Sequence, residues 1–175
     1  MATLAQLIAA GVPAGVTPGQ AAIMNAILNP PVYRYWRLRI TANDGDGSYV
    51  SMSYFALFDG ATSLTETYAT SSSQYTASSS IGDAPFSLRT TADDNGSEWV
   101  GSLPLPQWVA FDLGAPRSVT GYSVKSQRSV PRRTPTAWTL QANNSSALND
   151  APWVTQHAVT SSTGWAALEQ RNFAI

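Results

Sequence analysis

A single histidine, His157, and the absence of cysteine leave this chain of 175 residues little material for nucleophilic or metal-assisted chemistry. It contains no Gly-x-Ser-x-Gly elbow, no phosphate-cradling loop and no His/Cys metal spacing. His157 alternates with apolar neighbours in a stretch that reads as a strand, which marks it as a surface or sheet-edge residue rather than a general base. The 11 acidic residues nominate no pair for glycoside hydrolysis, because the carboxyl separation which that reaction needs is a property of the fold. No catalytic residue is assigned, and the expectation is a protein that is not an enzyme.

Recognition chemistry has more to draw on. Sugar binding needs flat apolar faces for pyranose C–H surfaces and planar donors for vicinal hydroxyls, and Arg and Trp on loops supply both. The stretch from Gln127 to Thr134 holds Arg128, Arg132 and Arg133, three of the ten basic residues, with little apolar content to bury. These arginines touch a ligand, or else they solvate the loop or pair with Asp93 and Asp94. Trp99 and Trp165 sit beside Gly101 and Gly164, where an exposed stacking platform is one reading; Trp36, Trp108, Trp138 and Trp153 lie in strand-like stretches and read as core or sheet-covering residues. Asn43 to Gly47 mimics the start of a calcium loop. An EF-hand counted from Asp44 would need a glutamate where Phe55 stands, so this segment is read as a turn.

The elements that must position these residues change character near position 32. Before it lie two Ala-rich helical patterns ending in Pro30 and Pro31. Thr17-Pro18-Gly19-Gln20 reads as an N-cap, a first-turn proline and a capping box opening a helix to about Leu28. The stripes Leu4, Leu7, Ile8 and Ile23, Met24, Ile27 are too small to bury themselves, and they need the sandwich, other copies or a host assembly as partner. From Tyr33 the period becomes two, with Trp36, Leu38 and Ile40 facing one way and Tyr35, Arg37 and Arg39 the other.

Further strands are expected at Tyr49 to Phe58, Trp108 to Leu113, Val119 to Val124, Trp138 to Ala142, Trp153 to His157 and Phe173 to Ile175, separated by turn-rich stretches. The Ser/Thr-rich run from Thr62 to Ser80 is read as a structured excursion pinned by Tyr68, Tyr75, Ile81 and Phe86. The fold class expected is all-β: an antiparallel sandwich or jelly roll over residues 33–175 behind a short helical segment, residues 1–32.

Composition narrows the partners. A net charge of -1 without a long basic run gives no electrostatic footprint for nucleic acid or anionic lipid. No apolar run approaches the ~20 residues of a membrane span. Met1 to Val12 lacks a basic n-region, so neither a signal peptide nor membrane insertion is expected.

The phrases Tyr35-Trp36-Arg37-Leu38-Arg39-Ile40-Thr41, Ala92-Asp93-Asp94-Asn95-Gly96-Ser97-Glu98-Trp99 and Trp108-Val109-Ala110-Phe111-Asp112-Leu113-Gly114, followed by Val119-Thr120-Gly121-Tyr122 and Pro135-Thr136-Ala137-Trp138-Thr139-Leu140-Gln141-Ala142, together resemble the discoidin, or coagulation-factor type C, family of galactose-binding-like domains. The opening phrase looks like the version found in bacteriophage tail and capsid-decorating proteins. Where the family shows Asp-Gly then Thr-x-Trp, this chain reads Asp94-Asn95-Gly96-Ser97-Glu98-Trp99.

The resemblance implies a galactose-binding-like jelly roll with a ligand site on loops at one end, including the loop of Arg128, Arg132 and Arg133, with Trp165 as a further glycan-binding candidate and Trp99 packed inside. It also implies one structural calcium ion, with Asp94 and Glu169 as candidate ligands, against a metal-free turn as the other reading. The functional expectation is a carbohydrate-binding or adhesion module that recognises a cell-surface glycan. It would belong to a virion made in the host cytoplasm, present in multiple copies or as a homo-oligomer, and docked on other virion proteins through residues 1–32. The alternative is a purely structural virion decoration or assembly protein without a glycan site.

Overall fold

The computed structural model describes Thr17 and residues 31–81, 85, 88, 98–146 and 151–175. The helices expected before position 32 therefore fall outside the described residues, Thr17 apart. So do Phe86, Asp93 and Asp94.

Among the described residues eleven strands follow one another from Tyr33: β1 (Tyr33–Asn43), β2 (Tyr49–Met52), β3 (Tyr54–Asp59), β4 (Thr62–Ser63), β5 (Tyr75–Ala77), β6 (Trp99–Ser102), β7 (Gln107–Arg117), β8 (Gly121–Lys125), β9 (Pro135–Asn143), β10 (Val154–Val159) and β11 (Gln170–Ala174). Between β4 and β5 lies one short helix, α1 (Leu64–Tyr68), whose first turn is capped by the Ser63 side chain accepting from Glu66 N. All strand pairs are antiparallel. They make a five-stranded sheet in the order β10-β9-β1-β7-β5, a four-stranded sheet in the order β11-β8-β3-β4, and the β2-β6 pair.

The alternation read in β1 is the alternation found. Trp36, Leu38 and Ile40 are buried, and Leu38 stands opposite both Val109 of β7 and Leu140 of β9. From the four-stranded sheet, Phe55 meets Phe111 of the five-stranded sheet, rings stacked at 4.9 Å, and the Tyr122 hydroxyl accepts from Trp138 Nε1 at 2.9 Å. The two sheets thus close on one apolar core, the arrangement of an all-β sandwich. Residues 32–175 form this unit by themselves. No described helix is long and apolar enough to cross a membrane.

Two expectations need correction. The single strand read from Tyr49 to Phe58 is two strands in different sheets, parted at Ser53, whose N–H and Oγ donate to the carbonyls of Lys125 and Ser126. In the Ser/Thr-rich excursion Tyr75 is buried as expected, with its hydroxyl on Ala69 O at 2.8 Å, but Tyr68 and Ile81 are exposed: Tyr68 meets the Arg117 guanidinium at its ring face, and Ile81 is held by its backbone N–H, which donates to Val100 O at 3.0 Å. Hydroxyls add further pins. Ser78 Oγ and Ser79 Oγ both donate to Gln107 Oε1, at 2.5 and 2.7 Å, and each also accepts a backbone N–H, from Trp108 and Ser102 respectively.

Candidate functional site

Three loops meet at one end of the sandwich: the β1–β2 turn, the β8–β9 loop with its 3-10 turn at Pro131–Arg133, and the β10–β11 loop. The strands bring them together because Asn43 at the end of β1 pairs with Pro135 at the start of β9, and Lys125 at the end of β8 pairs with Gln170 at the start of β11.

Local chemistry shapes the β1–β2 turn first. Asn43 Nδ2 donates to the carbonyls of Asp46 and Tyr49 at 2.8 and 2.7 Å, and Gly45 takes a left-handed φ of 97° that favours glycine. This folds Asp46 inward. Its Oδ1 accepts from the backbone N–H groups of Ser48 and Tyr49, both at 2.9 Å, and its Oδ2 accepts from Arg132 Nε at 3.3 Å and Arg133 Nε at 3.2 Å. Burial opposes ionisation of Asp46, but the two backbone donors and Arg133 outweigh it and hold the carboxyl at about 2.

Asp44 ties the same turn to both other loops. Its N–H donates to Thr134 O at 3.1 Å, and its Oδ2 accepts from the N–H groups of Gly164 and Trp165 at 3.2 and 3.4 Å. The second and third loops are joined directly by Ser126, whose Oγ donates to Ala166 O and accepts from Glu169 N. The result is one hydrogen-bonded block rather than three independent loops.

The three arginines do stand in this block, in unequal states. Arg133 is mostly covered, with its guanidinium 4.6 Å from the centre of the Tyr49 ring and its charge on Asp46. Arg132 reaches Asp46 too, yet 69% of its side chain remains exposed. Arg128 is exposed. Asp46 is the anionic partner of Arg132 and Arg133 among the described residues, and Asp93 and Asp94 lie outside them.

Trp165 corrects the expectation of an exposed platform. It is buried at 6% exposure, its Nε1 donates to Pro135 O at 3.0 Å, and the Arg171 guanidinium lies 4.1 Å from its ring centre. The cause is local: Gly164 adopts a φ of 69°, which turns the ring under the loop, and Arg171 covers it while bonding to the oxygens of Ser162, Thr163 and Gly164. Trp99, by contrast, is fully buried as expected, with Nε1 on Ser79 O at 2.9 Å.

Glu169 does not fit the role of calcium ligand. Its Oε1 accepts from Arg171 Nε at 2.7 Å and its Oε2 from Ala166 N at 2.8 Å, and the Arg171 hydrogen bond leads the effects that hold its carboxyl below the usual range. A cation there would have to displace a guanidinium. Asp94 lies outside the described residues, and among those described no group of three His, Asp or Glu side chains is gathered for a metal.

His157 lies away from the arginine block, half-buried on β10, with Nδ1 2.7 Å from the Tyr122 hydroxyl. That hydroxyl accepts from Trp138 Nε1, and burial pushes it up to about 12. The group closes one edge between the sheets, where Phe173 stacks on Tyr122 at 5.0 Å.

Sequence reasoning found the arginines and missed what organises them: Asp44, Asp46, Tyr49 and Arg171. The signal available was two carboxylates in a glycine turn, in a chain with a basic stretch at Arg128 to Arg133. No family model, no curated protein and no solved structure matches the chain.

Proposed function

We propose that this protein is a non-enzymatic carbohydrate-binding or adhesion module, built on a galactose-binding-like jelly roll, that takes a glycan at the end-loop block through Arg128 and Arg132. The observation that carries the reading is the contrast within the block. Asp46, Arg133 and Trp165 are spent on internal bonds that fix the loops, while the Arg132 side chain is 69% exposed and Arg128, in the same loop, is exposed as well. A rigid base with outward guanidinium groups is the preorganised geometry that binding of vicinal hydroxyls or a sugar carboxylate requires. Such a site is weak alone, so useful attachment needs several copies acting together. The resemblance to phage tail and capsid-decorating proteins supports a virion setting, in which residues 1–32 dock on other virion proteins and the sandwich faces a cell-surface glycan.

The test is a glycan array probed with the full-length chain and with an Arg128→Ala, Arg132→Ala double variant. The reading expects reproducible binding to a subset of glycans, reduced at least tenfold in the variant, which keeps the wild-type fold because neither side chain lies in the core and Asp46 keeps its bonds to Ser48, Tyr49 and Arg133. Silence across the array sinks the reading. It would favour the second one, a structural virion decoration protein, which the burial of Trp165 and the internal use of Arg133 also support.

A further inference from the structure

Against the four-stranded sheet, between the β3–β4 turn and β11, lies an open concavity of about 590 Å³. That volume falls in the range of small-molecule sites, roughly 300–1,000 Å³. It shares no residue with the arginine block, and no residue that lines it carries a charge.

Its rim is held from three sides. Thr120 Oγ1 accepts from Gly60 N at 2.8 Å, Thr120 N donates to Phe58 O at 2.8 Å, and Ile175 N donates to Thr120 O at 3.1 Å. Along β11, Gln170 and Asn172 are two residues apart and so share a face of the strand. Asn172 Oδ1 accepts both Ser123 Oγ, at 2.5 Å, and Gln170 Nε2, at 3.2 Å. Those bonds fix the amide with its oxygen turned inward, and its Nδ2 donors have no partner among the described residues. Phe58 is half-buried and gives the concavity aromatic surface, while the small Gly60, Ala61 and Ala174 leave the room.

From this lining we infer a second binding site, for a neutral polyhydroxylated ligand the size of a mono- or disaccharide. An ionic ligand would bring a charge that nothing there pairs. A wholly apolar one would cover the Asn172 and Gln170 amides without satisfying them. A neutral sugar presents vicinal hydroxyls to the two planar amides and C–H faces to Phe58, and so meets both demands.

The site is tested by amide-resolved NMR of the full-length, nitrogen-15-labelled chain titrated with lactose, maltose, sucrose and, as an anionic control, glucuronate. At least one neutral disaccharide is expected to shift the side-chain amides of Gln170 and Asn172 and the backbone of residues 58–61, with weak, fast-exchanging affinity, while glucuronate does not. Two variants then follow: Asn172→Ala removes the donors, and Ala61→Leu fills the space without touching a strand hydrogen bond. Each is expected to weaken binding at least tenfold while leaving remote resonances in place. The inference is overturned if no neutral sugar shifts these residues, if glucuronate shifts them equally, or if both variants bind as wild type. Shifts confined to residues 126–134 would overturn it while upholding the arginine site.

Discussion

Asp46 is the residue on which the end-loop block depends, because its two oxygens hold the β1–β2 turn and the β8–β9 loop in one geometry. Replacing it by Asn keeps the size and removes the charge. Asp46→Asn is expected to lower stability by about 1–3 kcal/mol, since charge-assisted bonds in a buried setting are lost together. Its pH signature follows from the sign of the shift. The folded-state pKa of about 2 lies below the unfolded value of about 3.9, so the stabilisation is complete above that value and disappears as pH falls from ~4 toward 2. Urea midpoints measured from pH 7 down to pH 2 should therefore converge for the wild type and Asp46→Asn at the acid end. A constant gap across that range would show that the carboxylate is not what matters. Arg132 and Arg133 were legible as a basic loop, but which of them faces solvent was not. That division is set by Asp46 and Tyr49, some eighty residues earlier in the chain, and no local pattern reports it.

At the scale of elements, strands written in alternating apolar residues were readable and strands written in hydroxyls were not. β1, β7 and β9 announce themselves through Trp36, Leu38, Val109, Phe111 and Leu140. β5 is pinned by Tyr75 and by serines bonding to Gln107 and to backbone, a mode of attachment without hydrophobic period. The break at Ser53 was invisible for a related reason: Tyr49 to Leu57 is buried throughout apart from half-buried Tyr49, so nothing in the pattern marks where the chain leaves one sheet for another. The pairing of β8 with β11 makes its own prediction. A Cβ added to Gly121 would lie 2.8 Å from the Phe173 carbonyl oxygen, a contact with backbone that cannot move without opening the strands. Gly121→Ala is expected to speed amide hydrogen exchange across Gln170–Ala174 at least tenfold while leaving β1 and β9 protected. Unchanged protection in β11 would show that this edge tolerates the displacement.

For the whole molecule, the sandwich class was legible because period two persists from Tyr33 onward, and its core is the one the alternation selected. The site was only half legible, since burial of Trp165 beneath Arg171 depends on a turn geometry at Gly164 and on a strand that arrives later. Stability rests on the cross-sheet core. Leu38→Ala, at a fully buried position between Val109 and Leu140, is expected to lower stability by about 2–5 kcal/mol. A loss below 1 kcal/mol in a urea titration would contradict that packing.

The claim that the arginine block receives a glycan is tested most directly by crystallography of the full-length chain soaked with the oligosaccharide that binds most strongly on the array. The account predicts sugar density within hydrogen-bonding distance of the Arg128 or Arg132 guanidinium, over loops still held by Asp44 and Asp46. Density elsewhere on the sandwich, with both guanidinium groups left in solvent, would contradict it.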